Sequence, residues 1–355
     1  MRSIILVFII ALVCLVLFSK CKNTSTGPDD ILSKSPEELS WTVDTISVPG
    51  GMQTLMEKFL PFSTTNIYAY GLTDFCRDIW YYSGDKWELL NLDKYFLYQE
   101  INKMLAFSRN DIWGFGKSVY ENSFIFRSDG VTWHEDKSGK TIGRLITACA
   151  ESRNNMYAAG DNGEILFFDG NSWKNDSLKM KIPAGDEYII NGSAFYNGQV
   201  YFLAIKSNHA NMSNTHFIIK GTYKNFAVAD SMVLHDPSSV WKWGNCGFYV
   251  TPYYKLLSYG DYGIWQYNNN SWEHILYTEN GIDGVFAINQ NYIIATGAAG
   301  SVYFYNGNTF SLLNKFRAGY ENVIYTDAWS DGKELFILGR FNGALPQKTI
   351  IWHGK

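Results

Sequence analysis

Charge is scarce in this sequence. Charged residues make up 18% of its 355 residues, and the formal net charge is −4. Without a basic surplus there is no electrostatic footprint for nucleic acid, so that partner is not expected. Histidine is rare as well. His134, His209, His216, His235, His274 and His353 form no H-x-x-H or H-E-x-x-H pair, so no metal site is expected. There is no G-x-S-x-G elbow and no Walker A loop, and no cofactor is implied. The five cysteines form no C-x-x-C pair, and Cys149, inside "LITACA", reads as a buried structural thiol. The one long apolar run, Ile4 to Phe18, is short for a membrane span.

Aromatics are plentiful instead, at 17%. Tyr, Trp and Phe suit half-buried pleated surfaces, so the composition is that of sheets. The aromatics also recur. "YAAGDNGEILFFDGNSW" (157–173) returns as "IATGAAGSVYFYNGNTF" (294–310) with the same spacing of Gly and aromatic. The anchor of each copy is a short strand that ends in Gly. It is found at Gly71, Gly116, Gly160, Gly297 and Gly339, with two degenerate copies, "QVYFLA" ending at Ala204 and "GFYVTP" ending at Pro252. The intervals are 45, 44, 44, 48, 45 and 42 residues. Each copy continues through a hairpin turn such as "SDGV" or "FDGN" to an outer aromatic: Trp87, Trp133, Trp173, Phe226, Trp272 or Phe310. The last copy stops at "TIIWHGK" without its outer strand, and "LSWTVDTIS" near the other end supplies one, with Trp41 as its aromatic. Several short strands at a period of 42–48 residues read as an all-β, seven-bladed β-propeller closed by an N-terminal strand. Gly residues are assigned to the turns and aromatics to the wedges between blades.

The rhythm "G-x-x-G…DG-x-x-W" resembles the divergent propeller repeats of exported bacterial proteins. It is distantly similar to Asp-box propellers of the sialidase type, but "SDGVTW" lacks the intervening residue of that motif. At the front, "MRSIILVFIIALVCLVLFSKC" resembles a bacterial lipoprotein signal, with Cys21 as the lipid-modified residue and Lys20 as a departure from the usual small residue. The resulting division is a signal peptide over 1–20, a flexible tether over 21–40, and the propeller over 41–355. The resemblance implies a lipid-anchored protein of the bacterial cell envelope, at the outer membrane, that meets the membrane through its N-terminal lipid.

The expected function is noncatalytic binding or scaffolding of a protein or carbohydrate; the alternative is an envelope glycosidase or lyase acting at the propeller mouth. Strands are named a to d outward from the axis. The c–d turns are short and alike, whereas the b–c loops vary, with 205–216, 252–263 and 339–347 long. Varied loops are where binding residues gather. Ligand contacts are therefore expected from Tyr253, Tyr254, Tyr262, His209, His216 and Arg340. No catalytic residue is assigned. Convergent carboxylates with an arginine at the axis would favour the enzyme; a Tyr-lined face would favour binding.

Overall fold

A computed structural model describes residues 31–355, except 75–77, 93, 99, 121, 140–142, 178–185, 209–212 and 235–240. Cys21, the signal segment and His209 lie outside the described residues. The described residues form seven antiparallel four-stranded sheets. Blade 1 runs β2 (Thr54–Ser63), β3 (Asn66–Thr73), β4 (Ile79–Tyr82), β5 (Trp87–Leu89). Blade 2 is β6 (Glu100–Ser108), β7 (Asp111–Lys117), β8 (Ser123–Ser128), β9 (Trp133–Glu135). Blade 3 is β10 (Leu145–Ser152), β11 (Asn155–Gly160), β12 (Glu164–Phe168), β13 (Trp173–Ser177). Blade 4 is β14 (Asp186–Tyr196), β15 (Gln199–Asn208), β16 (Ser213–Thr222), β17 (Asn225–Leu234). Blade 5 is β18 (Gly247–Val250), β19 (Leu256–Gly260), β20 (Gly263–Asn268), β21 (Ser271–Tyr277). Blade 6 is β22 (Gly284–Asn289), β23 (Tyr292–Thr296), β24 (Val302–Tyr305), β25 (Phe310–Leu312). Blade 7 combines β26 (Val323–Ser330), β27 (Leu335–Phe341) and β28 (Thr349–Gly354) with β1 (Trp41–Ile46).

The ring closes as expected. Strand β1 pairs with β28 from Trp41↔Gly354 to Ile46↔Thr349, as the outermost strand of blade 7. Closure covers the outer edge of β28. Residues 31–39, within the expected tether, pack onto this joint. Ile31 and Leu39 are buried beside Phe316 and Trp352. The Ile31 amide donates to Gly332 O, and the Trp41 indole donates to Pro36 O at 2.8 Å. Trp41 meets Phe316 edge-on at 4.9 Å. Other outer aromatics fill wedges in the same way: Trp133 and Trp173 are buried, and Trp173 packs edge-on against Trp113 of the preceding blade at 6.0 Å.

Two assignments need correction. The Gly-ended anchor is strand b, and no turn requires its residue to be glycine, even where it opens the b–c turn. Gly71, Gly116, Gly160 and Gly297 are not left-handed. A Cβ on them would lie 2.1 Å from Leu55 O, 1.9 Å from Glu100 O, 2.0 Å from Arg144 O and 2.1 Å from Gly281 O. They are glycine because another backbone crosses there. The left-handed glycines are those of the turns, such as Gly84, Gly130, Gly163 and Gly170. The second correction is in blade 5. "GFYV" is strand a, not b, and the true anchor is "LLSYG", ending at Gly260. The supposed long loop 252–263 is thus an a–b turn, strand β19 and a two-residue b–c turn.

Gly160→Ala therefore meets a fixed carbonyl and is expected to destabilise by about 1–3 kcal/mol or more, as overpacking does. Gly319 is left-handed but has open space around it, so Gly319→Ala is expected to cost only the roughly 1 kcal/mol of αL strain. Urea titration of both variants checks this; equal losses would return Gly160 to the turn class.

Candidate functional site

The strands a stand side by side around the axis, and each enters from the face that carries the b–c loops. Near that end, five of them bulge in register. The pairing slips at Glu57 in β2, Asn102 in β6, Ile146 in β10, Asn191 in β14 and Thr326 in β26. A bulge re-aims a side chain and adds local twist. Here two of the bulge residues, Asn102 and Asn191, tie one blade to the next, and side chains beside the bulges add further links. Asn102 Nδ2 donates to Leu145 O at 3.0 Å, and Asn191 Nδ2 donates to Asn245 O at 3.0 Å. Between them, Thr147 and Ser193 share a hydroxyl hydrogen bond of 2.8 Å. The Phe59 amide donates to Asp327 Oδ2 at 2.8 Å, joining blades 1 and 7. Tyr249 joins blades 5 and 6: its hydroxyl accepts from the Ala287 amide at 3.0 Å.

Charge gathers inside this belt. Lys58 Nζ donates to both Asp283 O and Thr326 O at 2.8 Å. Burial alone would lower this ammonium, but Tyr259 and Asp327 hold it well above the ordinary lysine value. Lys103 is pushed down by burial and by the charge of Lys58. Burial pushes the Asp327 and Asp283 carboxyls up, and Lys58 opposes both shifts. Glu57 stands at the rim with Arg340 Nε 3.9 Å from its Oε1, too far for a hydrogen bond. Cys246 borders the same cavity of about 210 Å3, which Glu57, Asn102, Asn191 and Tyr259 also line. Cys246 itself is exposed. Among the described residues no group of His, Cys, Asp and Glu could hold a metal.

Carboxylates and an arginine therefore do converge at the axis. Their chemistry is mostly committed: Asp327 holds a backbone amide, and Lys58 holds two carbonyls of neighbouring blades.

The remaining expected residues divide between faces. Arg340, at the end of β27, joins the mouth. Tyr262 and His216 lie further out on the same face. His216 is buried and meets Trp241 edge-on at 5.6 Å; Trp241 meets Tyr262 at 5.7 Å, and Tyr262 stacks with Tyr277 at 6.3 Å. His274 lies flat on Trp265 at 4.2 Å and touches Tyr262 O at 3.0 Å. Tyr253 and Tyr254 are in the a–b turn of blade 5, on the opposite face, because of the corrected phase. Sequence reasoning missed Trp241, His274 and Tyr277. "WKW" at 241–243 was the available signal. Apolar residues also project on the b–c face. Met52, Leu72 and Leu345 are exposed, and their loops are joined by Gln347 N to Met52 O and by Asp74, which accepts from Gln53 N. Tyr120 is 81% exposed on the same face.

No protein-family profile matches the chain, and no curated protein matches it in sequence. Solved structures do. YCF48 bound to D1 peptide superposes with a TM-score of 0.57 at 15% identity, covering 93% of this chain and 99% of that one. YCF48 from Cyanidioschyzon merolae superposes with a TM-score of 0.55 at 14% identity, covering 88% and 98%. At such identity the likeness is one of fold.

A further shifted acid on the b–c face is Asp78. Asp78, fully buried at the end of the first b–c loop, accepts at Oδ1 from the Thr73 amide (2.9 Å) and hydroxyl (3.0 Å). Burial pushes its carboxyl from 3.8 up to about 7. The folded chain thus holds a proton that the unfolded chain releases. The stabilisation is complete below pH ~4 and is lost as pH rises through about 7, at up to about 1.4 kcal/mol per unit. Urea midpoints of the parent and Asp78→Asn, compared from pH 5 to pH 8, are expected to show the parent losing ground steadily to the variant. A constant difference would show that the acid is ionised throughout.

Proposed function

We propose that this chain is a noncatalytic propeller that binds a segment of another protein on its b–c face, at and around the axial mouth. The observation that carries the reading is the belt of re-aimed polar side chains. It ties the mouth together, because Lys58 and Asp327 each hold another blade there. The exposed groups left for a partner are the rim residues Glu57 and Arg340, the apolar group Met52, Leu72 and Leu345, and the aromatics Tyr120, Trp241, Tyr262 and Tyr277. Large amphipathic rings with a few charges at the edge suit a protein partner. A neighbour of the same fold is bound to a peptide, which agrees with this reading. Catalysis is the weaker reading, since an acid–base pair needs carboxylates free to exchange protons with substrate.

The test is photo-crosslinking in cells from a reactive residue placed at Leu72, Leu345 or Val131. Leu72 and Leu345 flank the mouth, and Val131 is in a c–d turn on the other face. Protein adducts are expected at the first two positions. Adducts at Val131 alone would sink the proposal.

We further propose that the protein is held at the cell envelope by a lipid on Cys21. The described chain begins at the a–b and c–d end, where Ile31 bonds Gly332 in the a–b turn of blade 7. An anchor there favours an outward-looking b–c face. Cys21→Ala is expected to move the protein from the membrane fraction to the soluble one; persistence in the membrane fraction would refute lipid anchoring at that residue.

A further inference from the structure

The cleft between blades 1 and 2 opens on the opposite face, and nothing above uses it. It has a volume of about 410 Å3, within the range of small-molecule sites. Its walls are rings: Tyr68, Tyr81, Tyr95 and Trp133. Tyr68 packs against Tyr81 at 5.0 Å and edge-on to Trp133 at 6.3 Å, so these walls are fixed by one another. Two cations share the lining, Arg109 and Lys94. Arg109 is not a free surface arginine. The amide oxygen of Asn66, a residue 5% exposed, accepts from Arg109 Nη2 at 2.7 Å and from Nε at 2.8 Å. That grip sets the plane of the guanidinium and satisfies one edge of its fork with a neutral group. Lys94 Nζ sits 4.7 Å from the centre of the Tyr95 ring. No carboxylate among the described residues pairs with either cation. In a chain of net charge −4, two cations that no described carboxylate answers share this one concave site. Elsewhere several cations are answered: Arg144 by Asp161, Arg153 by Asp111, Lys174 by Asp169.

We propose that this cleft binds a carboxylate carried on a ring. The acid meets the open edge of the Arg109 guanidinium, with Lys94 adding charge, and the ring lies among the tyrosines. A guanidinium favours planar, forked recognition of a carboxylate. Aromatic walls with polar edges suit either a sugar ring or an aromatic one, both of which offer a flat face. A bare anion uses only the cations and leaves the rings idle. The site is on the face away from the proposed protein-binding mouth, so the two readings stand or fall separately.

The test is calorimetric titration of the full chain with glucuronate, 4-hydroxyphenylacetate, acetate and inorganic phosphate. At least one of the two ring acids is expected to bind at least about tenfold more tightly than acetate or phosphate, and which one binds tells a sugar ligand from an aromatic one. Arg109→Gln removes the fork at an exposed position. Asn66→Asp supplies an internal carboxylate that occupies the guanidinium. Each is expected to weaken the preferred ring acid by about tenfold or more, with melting temperature recorded to confirm the fold. The proposal is overturned if neither ring acid outbinds acetate and phosphate, or if both variants retain parental affinity.

Discussion

Where strand a enters a blade, its backbone lies closer to the end of strand b than an ordinary side chain permits, and the structure depends on how that crowding is met. Two devices act together. Strand b gives up its side chain at Gly71, Gly116, Gly160 or Gly297, where a carbonyl of the entering chain lies about where a Cβ would be. In blades 1, 2 and 3 strand a also bulges beside that glycine, and in blade 2 the bulge turns Asn102 toward the next blade. Blade 4 carries Ala204 in the glycine position; β14 still bulges at Asn191, and its pairing with β15 runs on beyond the bulge to Asp186↔Asn208.

The architecture was legible because its signals are local. A hairpin turn needs residues that accept a left-handed backbone, so "SDGV" and "FDGN" mark c–d turns without knowledge of the rest. The missing fourth strand of the last unit pointed to Trp41 by the same counting. The phase of blade 5 was not legible, for an equally physical reason. The interval from Ala204 to the true anchor Gly260 is 56 residues, and the next, to Gly297, is 37. The extra length lies before β18, where β17 is long and further chain follows it. An even period placed the anchor at Pro252 and carried Tyr253 and Tyr254 to the wrong face.

The site was less legible than the fold. Lys58 contacts groups 225 and 268 residues away, and Asn102 and Asn191 act across blade boundaries. A bulge has no sequence motif of its own, so the residue it re-aims looks like any other in a strand. Arg340 was found because it ends a strand beside a long loop. Glu57, Lys58, Asp283 and Asp327 were not, because each becomes meaningful only when seven blades bring it to the axis.

The b–c turn of blade 5 shows how rim and belt differ. Gly160-Asp161-Asn162-Gly163, Gly260-Asp261-Tyr262-Gly263 and Gly297-Ala298-Ala299-Gly300 are one turn in three blades. Its third residue is left-handed each time, with φ of 60°, 66° and 55°. Asn accepts that region readily, and a bulky Tyr does so at a cost of roughly 1 kcal/mol or more. Nothing in the turn requires Tyr, since Asn162 and Ala299 make the same shape. The strain is offset locally by Trp241, Tyr277 and the His274 contact to the Tyr262 carbonyl, none of which closes the ring. In the belt, polar side chains are placed by the demands of closure. At this rim an aromatic side chain is held where closure makes no demand, which is the physical ground for looking to the rim, and not to the buried charges, for recognition.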